Sequence, residues 1–214
     1  MAMTELRVYL PIEDLQPQFS AYLSSPMRAR GYPPFEGDHS LIIEVAPALS
    51  IHRIVDLALK AAPDLEPGIL FTERQFGVLE LHSTDRDRLE AAGTAILAGI
   101  GAKPEHQLKP KTLYTDIVEE ISDQHAVILN RSREASMVLP GQSLLLYEMA
   151  PALFAAVAAN EAERAAPGAT LVDVQMIGAS GRVFMAGDID DLKAAQARIG
   201  KTLDKVRGRS GDRR

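Results

Sequence analysis

The stretch Gly37-Asp38-His39-Ser40-Leu41-Ile42-Ile43-Glu44-Val45-Ala46-Pro47-Ala48-Leu49 returns later in the chain as Gly141-Gln142-Ser143-Leu144-Leu145-Leu146-Tyr147-Glu148-Met149-Ala150-Pro151-Ala152-Leu153. The offset is 104 residues in a chain of 214. It continues without a gap through Ala61-Ala62-Pro63 against Ala165-Ala166-Pro167, and on to Gly77 against Gly181. Upstream, Arg7–Gly37 lies over Thr112–Gly141 with one insertion or deletion, an overlay that pairs Tyr9 with Tyr114. A sustained offset of this kind marks an internal duplication. The expectation is two homologous domains, 1–104 and 105–214, the second carrying a basic tail. The boundary falls near Gly101–Lys109, where Gly, Pro and Lys interrupt the apolar pattern.

Both halves follow one plan. An apolar strand (Leu41–Val45; Leu144–Met149) is closed by the Ala-Pro turn. An amphipathic helix follows, from about Ala48 to Ala62 and from Ala152 to Ala166, and Pro63 and Pro167 end it because proline cannot continue the hydrogen-bond ladder. Two short strands form a hairpin, Ile69–Thr72 with Val78–His82 and Leu171–Met176 with Val183–Ala186. A second helix closes each half, Asp85–Leu97 and Asp188–Leu203, with acidic residues at its positive start. The segment before each first strand adds another strand (Arg7–Ile12; Ala126–Asn130) and a short helix. The fold class is α+β, a small antiparallel sheet with packed helices in each half.

The composition excludes several chemistries. With no Cys there are no disulfides, thiolate metal sites or thiol nucleophiles. The apolar runs are far short of a membrane span, and the N-terminus lacks a signal peptide's apolar core, so the expected location is the cytoplasm. A net charge of -6 argues against nucleic acid. The cluster Lys201, Lys205, Arg207, Arg209, Arg213 and Arg214 reads as a solvated terminus. Neither phosphate-binding glycine loop occurs. Gly178-Ala179-Ser180-Gly181 lacks the nucleophile-elbow spacing, and its duplicate Arg74-Gln75-Phe76-Gly77 carries no serine, so Ser180 reads as turn chemistry. The histidines, His39, His52, His82, His106 and His125, have no metal-ligand spacing. Glu44 and Glu148 recur at duplicated positions, which favours a shared structural role over acid–base work. No catalytic residue, metal or cofactor is expected, and the chain does not read as an enzyme.

Several stretches carry a family resemblance. Val174-Gln175-Met176-Ile177-Gly178-Ala179-Ser180-Gly181-Arg182-Val183-Phe184-Met185-Ala186-Gly187-Asp188 resembles the hairpin of the bacterial microcompartment (BMC) shell domain, and Ala158–Ala166 resembles its first helix. Glu5–Tyr9, Leu15–Gln18, Thr72–Gly77, His125–Arg131 and Ser136–Gly141 are similar to the circularly permuted, double-stacking subgroup of tandem-domain shell proteins. The resemblance spans Glu5 to Leu203. It implies two tandem circularly permuted BMC domains in a homotrimer that imitates a hexamer and can stack as a dimer of trimers in a microcompartment shell. It places Glu73 and Arg74 at a gated central pore for small polar metabolites, while the second-half counterparts Ile177 and Gly178 carry no charge. It also assigns the lateral tiling edge, shared with other BMC shell proteins, to Lys60 and its second-half counterpart Arg164. The turn Tyr32–Gly37 departs from the subgroup's usual sequence. The competing expectation is a duplicated α+β regulatory protein that binds a small effector between its halves.

Overall fold

The computed structural model describes residues 4–25, 31–72 and 75–211. Two compact units emerge, one running to Lys109 and including the segment from Arg207, the other Pro110–Val206. In the first unit, β1 (Glu5–Ile12), β2 (His39–Ala46), β3 (Glu66–Phe71) and β4 (Gly77–Ser83) form an antiparallel sheet ordered β1-β2-β4-β3. Its helices are α1 (Pro17–Leu23), α2 (Ile51–Ala61) and α3 (Arg86–Ile100). In the second unit, β5 (Lys111–Val118), β6 (Ser143–Ala150), β7 (Thr170–Gln175) and β8 (Gly181–Gly187) repeat the sheet as β5-β6-β8-β7. It carries α4 (Asp123–Ser132), α5 (Phe154–Ala165) and α6 (Ile189–Lys205).

Strand alternation divides each sheet into two faces. In the first unit Leu41, Ile43, Val45, Leu79 and Leu81 join Ile51, Ile54 and Ala58 of α2 and Leu89, Ala92 and Ile96 of α3 in one buried cluster. The opposite face of the second sheet buries Leu144, Val172 and Ala186 with Ala126 of α4. Both Ala-Pro turns are cis, Ala46-Pro47 and Ala150-Pro151.

Three expectations are corrected. Ala126–Asn130 is not a strand but lies inside α4; the second half's leading strand is β5. The β-branched pair Val127-Ile128 reads as strand, but Ser122 caps a helix there, its Oγ accepting from the His125 N–H at 3.3 Å. Asn130 then fixes the helix end, donating from Nδ2 to the Val138 carbonyl at 2.7 Å and accepting the Val138 N–H at 3.0 Å. The overlay of Tyr9 on Tyr114 is also one residue out of step. Val8 lies opposite Glu44 and Tyr114 opposite Glu148, so Tyr9 corresponds to Thr115. Side-chain volumes agree. A Cβ on Gly93 would stand 2.1 Å from the Tyr9 hydroxyl, whereas Thr115 leaves room for Gln196, whose Nε2 donates to Thr115 Oγ1 at 2.9 Å.

The tail is likewise not a solvated terminus as far as Arg209. Lys201 and Lys205 belong to α6, and the following segment joins the first unit, where Arg209 bridges to Leu108, which itself lies against β1. The Leu108 N–H donates to the Arg7 carbonyl at 2.8 Å, and the Lys109 N–H to the Arg209 carbonyl at 2.8 Å. Arg209 also reaches the His106 carbonyl from Nε at 3.0 Å and pairs with Glu5. An open sheet edge gains backbone partners this way. Arg213 and Arg214 lie outside the described residues.

One close approach fixes the hairpins in both units. A Cβ on Gly77 would lie 2.3 Å from the Ala48 carbonyl oxygen, and one on Gly181 would lie 2.1 Å from that of Ala152. Only glycine lets β4 and β8 start against these turns. Gly77→Ala and Gly181→Ala should each lower unfolding free energy by about 1–3 kcal/mol, the range for overpacking, measurable by urea denaturation. A loss within error would mean that the turn yields freely.

Candidate functional site

The sites implied by the resemblance lie on the hairpin turns and at the ends of α2 and α5. Glu73 and Arg74 themselves fall outside the described residues; the structure describes their flanks. Beside them, the Arg7 guanidinium sits 3.5 Å above the centre of the Phe76 ring, and its Nε donates to Glu44 Oε1 at 2.8 Å. Arg7 stands at the irregularity in β1 between Leu6 and Val8, where a bulge re-aims a side chain. Burial pushes the Glu44 carboxyl above its ordinary pKa, and the hydrogen bond and charge of Arg7 pull the other way.

The duplicated carboxylate anchors the second hairpin through different donors. Glu148 Oε1 accepts from Ser180 Oγ at 2.5 Å and from Arg182 Nε at 3.1 Å. Arg182 in turn donates from Nη1 to Gln175 Oε1 at 2.9 Å, joining both hairpin strands. The Ser180 hydrogen bond, aided by Arg182, holds the Glu148 carboxyl below its usual pKa. Each half thus ties the base of its hairpin to a glutamate of its second strand, with arginine from β1 in one and β8 in the other. Ser180 is a hydrogen-bond donor to Glu148 within this network.

Lys60 and Arg164 occupy matching places in the last turns of α2 and α5. Lys60 is exposed and its Nζ lies 2.7 Å from Asp56 Oδ2. Arg164 is more engaged: Glu161 accepts its Nε at 3.2 Å and also pairs with Arg198 of α6. Lysine is therefore the less restrained cation of the pair. Among the described residues no group of three His, Asp or Glu side chains could hold a metal ion. No described helix is long and apolar enough to cross a membrane.

A polar cluster that sequence reasoning missed is buried in the first sheet. Ser40 Oγ donates to Glu80 Oε1 at 2.6 Å, and His82 Nδ1 lies 3.1 Å from Glu80 Oε2. His82 Nε2 stands 3.4 Å from Glu66 Oε2. The second unit places Leu144, Phe184 and Ala186 where these three residues stand. That polar-for-apolar exchange between repeats is the sequence signal that could have revealed the cluster. Burial alone disfavours the imidazolium, but the hydrogen bond and charge of Glu80, with Asp38 and Glu66, more than offset it and raise the His82 pKa.

Comparison with known proteins agrees with the duplicated α+β architecture. A family model described as the CsoS1D N-terminal domain matches residues 6–106. The carboxysome shell protein CcmP of Synechococcus elongatus is 37% identical over 211 residues, covering 98% of this chain and 97% of the relative. The chain belongs to this family of tandem BMC shell proteins. Two solved structures of such shell proteins share its fold. The double-ringed trimeric shell protein MSM0271 from the RMM microcompartment has 60% identity and a TM-score of 0.93, covering 97% of this chain and 100% of that one. The fused permuted hexameric shell protein MSM0275, from the same kind of compartment, has 41% identity and a TM-score of 0.90, covering 96% and 100%.

The raised His82 pKa sets a pH dependence. Its stabilisation is complete below about 6.5, the ordinary imidazole value, and is lost as pH rises through the higher folded value. Urea midpoints should therefore fall on raising the pH through that window. Glu80→Gln keeps the shape of the cluster and removes its central charge, so it should shrink or reverse the slope; an unchanged slope would place its origin elsewhere.

Proposed function

We propose that this chain is a structural tile of a bacterial microcompartment shell, assembling as a trimer of tandem domains that stacks into a double ring. The observation that carries this reading is the fold-wide match, at 60% identity, to a double-ringed trimeric shell protein. Three chains with two domains each approximate a hexagon, the shape that fills a flat layer. The hairpin turn between β3 and β4 then lines the threefold axis, with Glu73 and Arg74 as its charged pair. Side chains turned inward pair Glu73 of one copy with Arg74 of the next and close the aperture; turned outward, they leave a polar channel suited to small charged metabolites. An exposed ion pair contributes only about 0–1 kcal/mol, so modest ligand preference suffices to shift the balance. The carboxylate networks at the hairpin bases support this role, since they anchor the strands that flank the turns.

Lys60 is the lateral contact with neighbouring tiles in this reading, and Arg164 a more restrained counterpart. The relative at 60% identity comes from the RMM microcompartment, while the carboxysome relative is 37% identical, which favours a compartment of the first kind. The effector-binding alternative has no comparable support.

The test is co-expression with single-domain shell proteins, followed by structure determination of the assembled tile. Glu73→Ala with Arg74→Ala should leave incorporation unchanged and give an open axial pore. A double variant whose pore is still fully occluded would remove this pair from the gate. A wild-type chain excluded from purified shells would overturn the tile itself.

A further inference from the structure

Each half ties a strap of irregular chain to the edge strand of its sheet. In the first, the strap 31–38 leads into β2, and the Gly31 N–H donates to the Gly68 carbonyl at 3.1 Å and the Tyr32 N–H to that of Pro67 at 3.0 Å. In the second, the Ala135 N–H donates to the Val172 carbonyl at 3.2 Å and the Ser136 N–H to that of Leu171 at 3.0 Å. Val172 and Leu171 stand 104 residues after Gly68 and Pro67, so the backbone joint is duplicated. Its surroundings are not. A Cβ on Gly68 would collide with Glu80 Oε2 and stand 2.9 Å from the Tyr32 carbonyl oxygen, so only a glycine separates the first strap from a buried carboxylate. The second half has Leu144, Phe184 and Ala186 in place of Ser40, Glu80 and His82. Beside its strap stands Asp173, accepting from the Glu134 N–H at 3.3 Å, and no histidine.

His82 is 2% exposed. Its Nδ1 lies 3.1 Å from Glu80 Oε2, while Nε2 makes no hydrogen bond among the described residues and stands 3.4 Å from Glu66 Oε2. Both neighbours are carboxylate oxygens, which only accept. A neutral imidazole has one N–H, so either tautomer turns a lone pair toward one of them, and the imidazolium alone serves both. The charged groups acting on the ring are Glu80 of its own strand, Asp38 at the end of the strap and Glu66 at the start of β3. Ser40 lies opposite on β2, and α1 carries no charged side chain. Asp38 is itself buried, and its Oδ2 accepts the Phe35 N–H at 2.8 Å, so the turn of the strap is folded on a carboxylate that attracts the ring.

We infer that His82 is a pH-operated catch: charged, it holds Asp38 of the strap and Glu66 of β3 around Glu80, and neutral, it lets the strap and the start of β3 open. The opening is local. β3 is the edge strand, and the buried cluster shared with α2 and α3 contains none of Asp38, Ser40, Glu66, Glu80 or His82. The strap carries the exposed rings of Tyr32 and Phe35, so the catch makes their presentation depend on pH.

Hydrogen exchange between about pH 6 and 9, corrected for the intrinsic rate, tests this. Peptides covering 31–38 and 66–71 should lose protection by up to about tenfold per pH unit above the ordinary imidazole value and then level off. They should be less protected than β2 at every pH, and the second strap, 133–138, should open without that slope. His82→Gln keeps a donor for Glu80 and removes the titration, so it should flatten the response with unchanged circular dichroism. Glu66→Gln, at a half-exposed side chain, should lower the protection at low pH toward the wild type's high-pH level and leave the fold intact. A first strap that follows the second across the range, strap amides that exchange only together with β2, or a slope that survives in His82→Gln would each overturn the catch.

Discussion

The carbonyl oxygen of Ala48 occupies the space into which any side chain at position 77 would project, and the carbonyl of Ala152 does the same at position 181. This contact fixes where the second hairpin strand of each unit begins relative to the turn that starts α2 or α5. The hairpin tip, the helix face and the central strand are all registered to it. Glu44 and Glu148 lie one residue along the ladder, opposite Val78 and Arg182. From there they tie the base of the hairpin with charge-assisted hydrogen bonds. A duplicated fold keeps such a constraint in both copies because neither can relax it without moving its hairpin.

Where the constraint does not reach, the copies have diverged. The first sheet buries Ser40, Glu80 and His82 where the second places Leu144, Phe184 and Ala186. Tyr9 fills the space above Gly93, whereas Thr115 shares its space with Gln196. The larger asymmetry is on the surface, where Leu49 is open and Leu153 closed.

Much of this was legible in the sequence because the duplicated segments carry the turn glycines, the Ala-Pro pairs and the core of the central strand. The helix ends at Pro63 and Pro167 were readable for the same local reason. Ala126–Asn130 was misread because its apolar run has no period long enough to separate strand from helix, and the deciding bond joins Asn130 to Val138 in a later loop. The docked tail was invisible because its partners, His106 and Glu5, are 103 and 204 residues away. The buried His82 cluster was missed because Ser40 and Glu80 meet only through strand pairing. The readings of Glu73 and Arg74 as a gate and of Lys60 and Arg164 as a tiling edge rest on resemblance, since charge on a turn or helix end has no local signature that separates such a role from a solvated surface.

The most direct measurement is the native mass of the 214-residue chain purified alone. Each copy is 23.2 kDa, and a tile built as described here should appear as three copies, or as six where two rings stack. A protein found as single chains or pairs across the concentration range would contradict the account.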